Sequence, residues 1–305
     1  MKHAPFRGTA PALVTPFTAD GRLDEAALRR LIDFQIEGEG DHRGVEALVV
    51  LGTTGENPTV SHDERRRIVD VALEHTAGRV PVVVGTGTND TAQSRVFSKE
   101  AADAGADALL VVGPYYNKPT PDGLLGHVAA IADATDCPLV FYNVPGRTGS
   151  NVTAETQLRL ADAIPSVVAT KEASGDLNQI ADVLAHRPEG FAVYSGDDDL
   201  TLPMLVLGAD GLVSVCANAI PGATSELVRR ALGGDFEGAR RLHFHLLDAM
   251  RASFFEANPG PVKAVLAEMG RIEPRLRLPL APVSEATRER VLAAYRPHVR
   301  AAAEA

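Results

Sequence analysis

The sequence predicts a (β/α)8 TIM barrel with a small C-terminal helical appendage, and three observations carry that reading. Eight short apolar, β-branched runs recur, each followed by a longer segment of helical period. Most of these runs are apolar nearly throughout instead of alternating, as parallel strands covered on both faces must be. The chain has 305 residues, which suits one barrel of roughly 250 residues with an appendage. An open doubly wound sheet is the structural rival, but it usually holds fewer strands.

The strand runs are Ala10–Val14, Val45–Leu51, Val80–Gly85, Ala108–Val112, Pro138–Tyr142, Val167–Thr170, Phe191–Tyr194 and Gly211–Val215. Between them, Asp24–Glu37 places Ala27, Leu28, Leu31, Ile32 and Phe34 at near-helical spacing. The next helix opens on a capping box, with Ser61 followed three residues on by Glu64. Further helices are expected at Thr91–Ala104, Gly123–Ala134, Thr153–Ala163, Leu177–Ala185 and Asp199–Leu207. From about Pro221 the strand signals stop, and helical patterns follow at Thr224–Leu232, Phe236–Phe255, Val262–Glu268 and Glu285–Tyr295. The run Asn258-Pro-Gly-Pro261 breaks two of these apart. The expected division is therefore a catalytic barrel over residues 1–225 and a helical region over 226–305.

A formal net charge of -10 argues against a nucleic-acid partner, which needs a basic face. The two cysteines, Cys137 and Cys216, lie within apolar runs and read as buried thiols in a reducing compartment. No signal-like segment opens the chain, and no apolar run approaches the ~20 residues of a membrane helix. A cytoplasmic protein without a membrane partner is the expectation.

Barrel active sites are built from loops at the C-terminal ends of the strands. There the sequence places Gly52-Thr-Thr-Gly-Glu56, Gly85-Thr-Gly87, Pro114-Tyr-Tyr-Asn117, Tyr142-Asn143 with Arg147-Thr148, Lys171-Glu172 and Ser195-Gly-Asp-Asp198. Only five lysines stand against 25 arginines, and Lys171 alone ends a strand. Alternation puts Val167, Ala169 and Lys171 on one face. An ammonium above small barrel-filling residues is partly dry, so its pKa falls and a nucleophilic amine results. Such an amine condenses with ketones. A snorkelling lysine, or one paired with Glu172, is the plain alternative.

Three of the five tyrosines, Tyr115, Tyr116 and Tyr142, lie at the same end and could relay protons. The Gly52–Glu56 turn suits a carboxylate, and Arg147 could clamp another. Simple turn and solvated-arginine readings compete with both. Dinucleotide, phosphate-loop, zinc-protease and nucleophile-elbow patterns are absent. Asp197-Asp-Asp199 reads as acidic residues at a helix start before it reads as a metal site.

These motifs resemble the 4-hydroxy-tetrahydrodipicolinate synthase (dihydrodipicolinate synthase) family, within the pyruvate-dependent class I aldolases that include N-acetylneuraminate lyase. The resemblance runs from about residue 8 to 295 and adds Lys171-Glu-Ala-Ser-Gly175 and Asn258-Pro-Gly-Pro-Val-Lys263 to the segments above. It implies that Lys171 forms a Schiff base with pyruvate and that Tyr142 shuttles protons, with Thr53 and Tyr116 completing a hydroxyl relay. Tyr116 would reach in from a neighbouring subunit, which implies a homo-oligomer, a dimer of dimers by family expectation. Thr53 and Thr54 would hold the pyruvate carboxylate. Arg147 would meet the carboxylate of the second substrate, aspartate semialdehyde, and Gly196 and Val213 would supply backbone near the pocket. No metal or organic cofactor is implied. A relative that uses a sugar-derived substrate is the alternative, against which Arg147 and Ser195–Asp198 argue.

Two departures from the family stand out. The segment 37–44 is longer than the usual entry to the second strand and is expected as a surface loop at the far end of the barrel. Arg65 and Gln93 stand where lysine-inhibited members often carry a histidine and a glutamate, so weak or absent lysine inhibition is expected. Asn89 and Tyr115 match.

Overall fold

Strands buried on both faces need an apolar layer inside the cylinder and another beneath the helices, and this sequence supplies both. The computed structural model describes residues 3–40 and 42–299. Eight strands form in it: β1 (Gly8–Pro11), β2 (Leu48–Val50), β3 (Val82–Gly85), β4 (Ala108–Val112), β5 (Leu139–Asn143), β6 (Val167–Glu172), β7 (Ala192–Ser195) and β8 (Gly211–Ser214). Paired neighbours are all parallel, in the order β1-β8-β7-β6-β5-β4-β3-β2. A bridge between Ala12 and Val49 joins the two ends, with the Leu13 amide donating to the Val49 carbonyl at 2.8 Å.

The inner cluster holds small and β-branched residues such as Ala10, Ala47, Val83, Ala108 and Ala169. The outer cluster takes Leu48, Val82, Leu109, Leu139 and Phe141 beneath the helices. Along β6 the expected shared face fails at Val167. Leu139 pairs with Val167, but Val140 pairs with Ala169, so the register shifts by one residue. Val168 therefore joins the inner cluster while Val167 packs outside. Beyond this bulge the alternation is regular, and Ala169 and Lys171 share the inner face.

The helices are α1 (Glu25–Glu37), α2 (His62–Thr76), α3 (Thr91–Asp103), α4 (Pro121–Ala132), α5 (Pro145–Thr148), α6 (Ala154–Ala163), α7 (Leu177–His186), α8 (Thr201–Val206), α9 (Pro221–Leu232), α10 (Phe236–Ala252), α11 (Gly260–Glu268) and α12 (Glu285–Tyr295). Side chains cap several N-termini: Asp24, Asp90, Thr120, Thr153 and Asp176 each accept from the first turn, and Ser61 and Glu64 complete a capping box on α2. Position 225 lies inside α9, which packs on α1 and β1 as the eighth barrel helix. The appendage then packs α10 on α9 and α12, and α11 on α12.

Segment 37–44 does not stay at the far end of the barrel. Glu39 accepts from the amides of Gly222 (2.7 Å) and Ala223 (2.9 Å) in the first turn of α9. About two turns along the same helix, Arg229 reaches the Arg43 carbonyl and Glu46. The described residues of this segment thus lie against α9. Ile220, the α9 cap residue, offers no side-chain acceptor, and Glu39 takes that place. Burial raises the Glu39 carboxyl above its usual range, partly offset by those two amides.

Candidate active site

Lys171 is the penultimate residue of β6, in register with Tyr142 on β5. It is buried, with 6 % of its surface exposed. Among the described residues no hydrogen bond or ion pair holds its ammonium; its Nζ lies 4.1 Å from the centroid of the Tyr142 ring. Burial lowers the amine to about 8, against the opposing pull of Asp197 and Asp198. Burial also raises Asp197, to about 6, with Lys171 drawing it back down.

The alternative of a Lys171–Glu172 pair is removed by strand geometry. Glu172 faces outward and is held there by Asn143 Nδ2 (3.1 Å), Gln157 Nε2 (2.6 Å), Gln179 Nε2 (3.2 Å) and the Ser174 amide (2.8 Å). Asp198 is likewise engaged elsewhere. It accepts from Ser214 and from the amides of Val215 (3.0 Å) and Cys216 (3.2 Å), which fixes the end of β8.

Tyr142 is buried beside the lysine. Burial pushes its phenol well above the usual range, while nearby Arg147 and a hydrogen bond from Thr53 act in the opposite sense. Thr53, Thr54, Tyr142, Arg147, Lys171 and Gly196 all line one cavity of about 50 Å³. Arg147 sits on the single turn of α5, and its side chain has no hydrogen bond or ion pair among the described residues. A larger, outer cavity of about 460 Å³ adjoins the first and shares Thr53, Val144 and Arg147 with it. Gly196 is a glycine for steric reasons: a Cβ there would lie 2.7 Å from the Ala173 Cβ and 3.0 Å from the Lys171 Cε.

A dry amine, a phenol and two threonine hydroxyls in so small a cavity at the C-terminal end of a barrel form a carbonyl-condensing constellation. The profile of the Dihydrodipicolinate synthetase family matches residues 5–296. The chain belongs to that family. It is 61 % identical to a 4-hydroxy-tetrahydrodipicolinate synthase of Salinibacter ruber, over 95 % of each chain. A second synthase, from Koribacter versatilis, is 54 % identical over 94 % of each. Among solved structures, the dihydrodipicolinate synthase of Thermotoga maritima superposes with a TM-score of 0.93 at 45 % identity, covering 97 % of this chain and 99 % of that one. A monomeric dihydrodipicolinate synthase variant superposes at 0.92, with 45 % identity, over 95 % and 96 % of the two chains.

Two residues expected at this dihydrodipicolinate synthetase site, Val213 and Tyr116, are not among those whose side chains line the cavity. Val213 packs in the inner cluster with Tyr142, in register with Ala10, and Val215, just past the end of β8, lines the cavity. Tyr116 is 88 % exposed with φ +72°, so it does not reach the lysine of its own barrel. Asn258 and Phe254 of the appendage do line the cavity. The sequence signals Asn258 only as the first letter of a motif, because its partner Thr54 lies 204 residues away.

Proposed function

We propose that Lys171 forms a Schiff base with pyruvate and that the resulting enamine is added to L-aspartate 4-semialdehyde. This is the reaction of a 4-hydroxy-tetrahydrodipicolinate synthase, a lyase of lysine biosynthesis through diaminopimelate. The observation that carries the reading is the Lys171 amine itself: dry, lowered to about 8, and unpaired beside Tyr142. The neutral amine attacks the ketone carbon, water leaves, and an iminium remains. The iminium is the electron sink for loss of a methyl proton, which gives the enamine. The enamine carbon bonds the aldehyde carbon, and the new alkoxide takes a proton through Tyr142. The amine of the semialdehyde then displaces Lys171 as the ring closes. Thr53 and Thr54 hold the pyruvate carboxylate, Arg147 the carboxylate of the aldehyde, and the backbone at Gly196 borders the adduct.

The exposed Tyr116 supports an oligomer in which this residue completes the relay of a neighbouring subunit, with a dimer of dimers as the expected form. A cytoplasmic location is supported by two buried thiols, Cys137 and Cys216, and no helix of the described residues is long and apolar enough to cross a membrane. The test is an assay coupled to the following reductase, with pyruvate and the semialdehyde supplied. Turnover that vanishes in Lys171→Ala, together with loss of borohydride-trapped pyruvate, is the expected result. Trapping without turnover would move the search to another aldehyde. Neither trapping nor turnover in the unaltered protein would overturn the reading.

A further inference from the structure

The motif Asn258–Lys263 is not used by the chemistry above, yet its first residue looks into the lysine cavity. Asn258 is 4 % exposed, and its Nδ2 donates to Thr54 Oγ1 at 2.9 Å. A threonine hydroxyl that donates its one proton to a carboxylate keeps its lone pairs to accept with, and Asn258 Nδ2 supplies such a bond. The amide orientation follows, and it leaves Asn258 Oδ1 aimed away from Thr54. That oxygen is buried without a partner. Among the described residues, other side-chain atoms share this condition, but none belongs to a residue lining the cavity. A buried acceptor left empty is costly unless a ligand fills it.

Pyruvate brings only acceptor oxygens. The ligand that answers Oδ1 must bring an N–H or O–H donor. We propose that Asn258 is a specificity-determining residue whose Oδ1 accepts a hydrogen bond from the amino group of the acceptor aldehyde. The inference rests on the pyruvate–aminoaldehyde reading above. In this position the carbonyl oxygen orients the amine lone pair toward the imine carbon that it must attack, so Asn258 both selects an amino aldehyde and readies it for ring closure. The position is held from behind. Lys263, one turn into the same motif, forms a fully buried ion pair with Glu56 at the end of the Gly52–Glu56 turn, which ties Asn258 to the threonines.

The reaction creates two other donors, the iminium N–H and the hydroxyl of the adduct. Both also arise with succinate semialdehyde, the same aldehyde without its amino group, and that compound is therefore the probe. In Asn258→Ala, the KM for aspartate semialdehyde rises about tenfold, as for one hydrogen bond to a charged or reacting group. The inhibition constant of succinate semialdehyde moves less than about twofold on the same scale. In Asn258→Asp the acceptor survives and the donor to Thr54 is lost, so the KM for pyruvate rises while the preference for the amino aldehyde stays. Equal shifts for the two aldehydes in Asn258→Ala, or no shift in either, would overturn the proposal. Should Asn258→Ala fail to fold, Asn258→Asp decides, because loss of the preference there overturns it equally. Borohydride trapping of pyruvate in the unaltered protein reports on the underlying reading, so the two failures are distinguishable.

Discussion

Lys171 works because a side chain of ordinary type sits in an unusual place. Its Schiff-base step needs the neutral amine, and burial has lowered the pKa to about 8. Below that value the initial rate of pyruvate trapping should climb about tenfold per pH unit and then level off above it. Asp197 opposes the shift through its negative charge, so Asp197→Asn should move the break in this profile to lower pH. A profile that keeps rising toward pH 10 would show a solvated lysine instead. The sequence made Lys171 legible because lysine is scarce and this one ends a strand. Thr53, Thr54, Tyr142 and Arg147 were legible as polar groups after apolar runs. The place of Val215 in the cavity wall was not, since it lies just past the end of β8, where strand alternation no longer says which way a side chain faces. Asn258 was equally hidden, because its meaning lies in contacts with Thr54 and the cavity that no local pattern encodes.

Elements were legible where burial writes a period and illegible where geometry breaks one. All eight strands follow apolar runs, and α1 and α2 begin where capping residues stand. The β6 bulge leaves no mark in a run of valines, and α5 is one turn without a periodic stripe. The cap and turn between β2 and α2 are held by α11 and the segment after it. Lys263 and Glu56 are both fully buried, and the Arg277 amide donates to Glu56 at 3.0 Å. Arg277 also grips Glu64 on α2 at 2.6 and 2.7 Å. Lys263→Met should therefore cost about 3–5 kcal/mol in denaturant unfolding, because Glu56 is left buried without its cationic partner. Adding Glu56→Leu should return much of that loss, whereas a single-variant cost below about 1 kcal/mol would mean that the pair is solvated. The outer cavity, formed by residues before and within α2 and α3, makes a separate prediction. Arg65 there is 5 % exposed, donates to the Gly85 carbonyl at 2.7 Å and lies over Phe97 at 3.9 Å. Burial lowers it to about 10, so it remains a cation at neutral pH. With Gln93 in the same wall, and with the one lining carboxylate among the described residues, Asp90, engaged in capping α3, an incoming lysine ammonium meets the Arg65 cation with little to offset it. Inhibition by lysine should be weak or absent, and half-inhibition at sub-millimolar lysine would refute this.

The whole molecule presents a barrel whose chemistry is gathered at one end, where Tyr116 is exposed to solvent. If that phenol completes a neighbouring site, Tyr116→Phe should lower kcat by about 10²-fold or more while the oligomer persists. Dilution that dissociates the wild-type assembly should produce a comparable loss. Sedimentation run alongside the assay separates the two, and full activity from isolated monomers would end the idea. The loop at 37–44 has a consequence of another kind, in the time course of folding. Glu39 and the first turn of α9 are 183 residues apart, so closing this contact early carries a large loop-entropy cost and its late formation is the expectation that refolding rates test. Interactions absent from the rate-limiting assembly act on escape from the native state and leave the approach to it untouched. Glu39→Gln should accordingly leave refolding rates unchanged while unfolding speeds up about fivefold, roughly 1 kcal/mol on the dissolution barrier alone. What looks like surplus chain would then be a latch on the lifetime of the finished barrel.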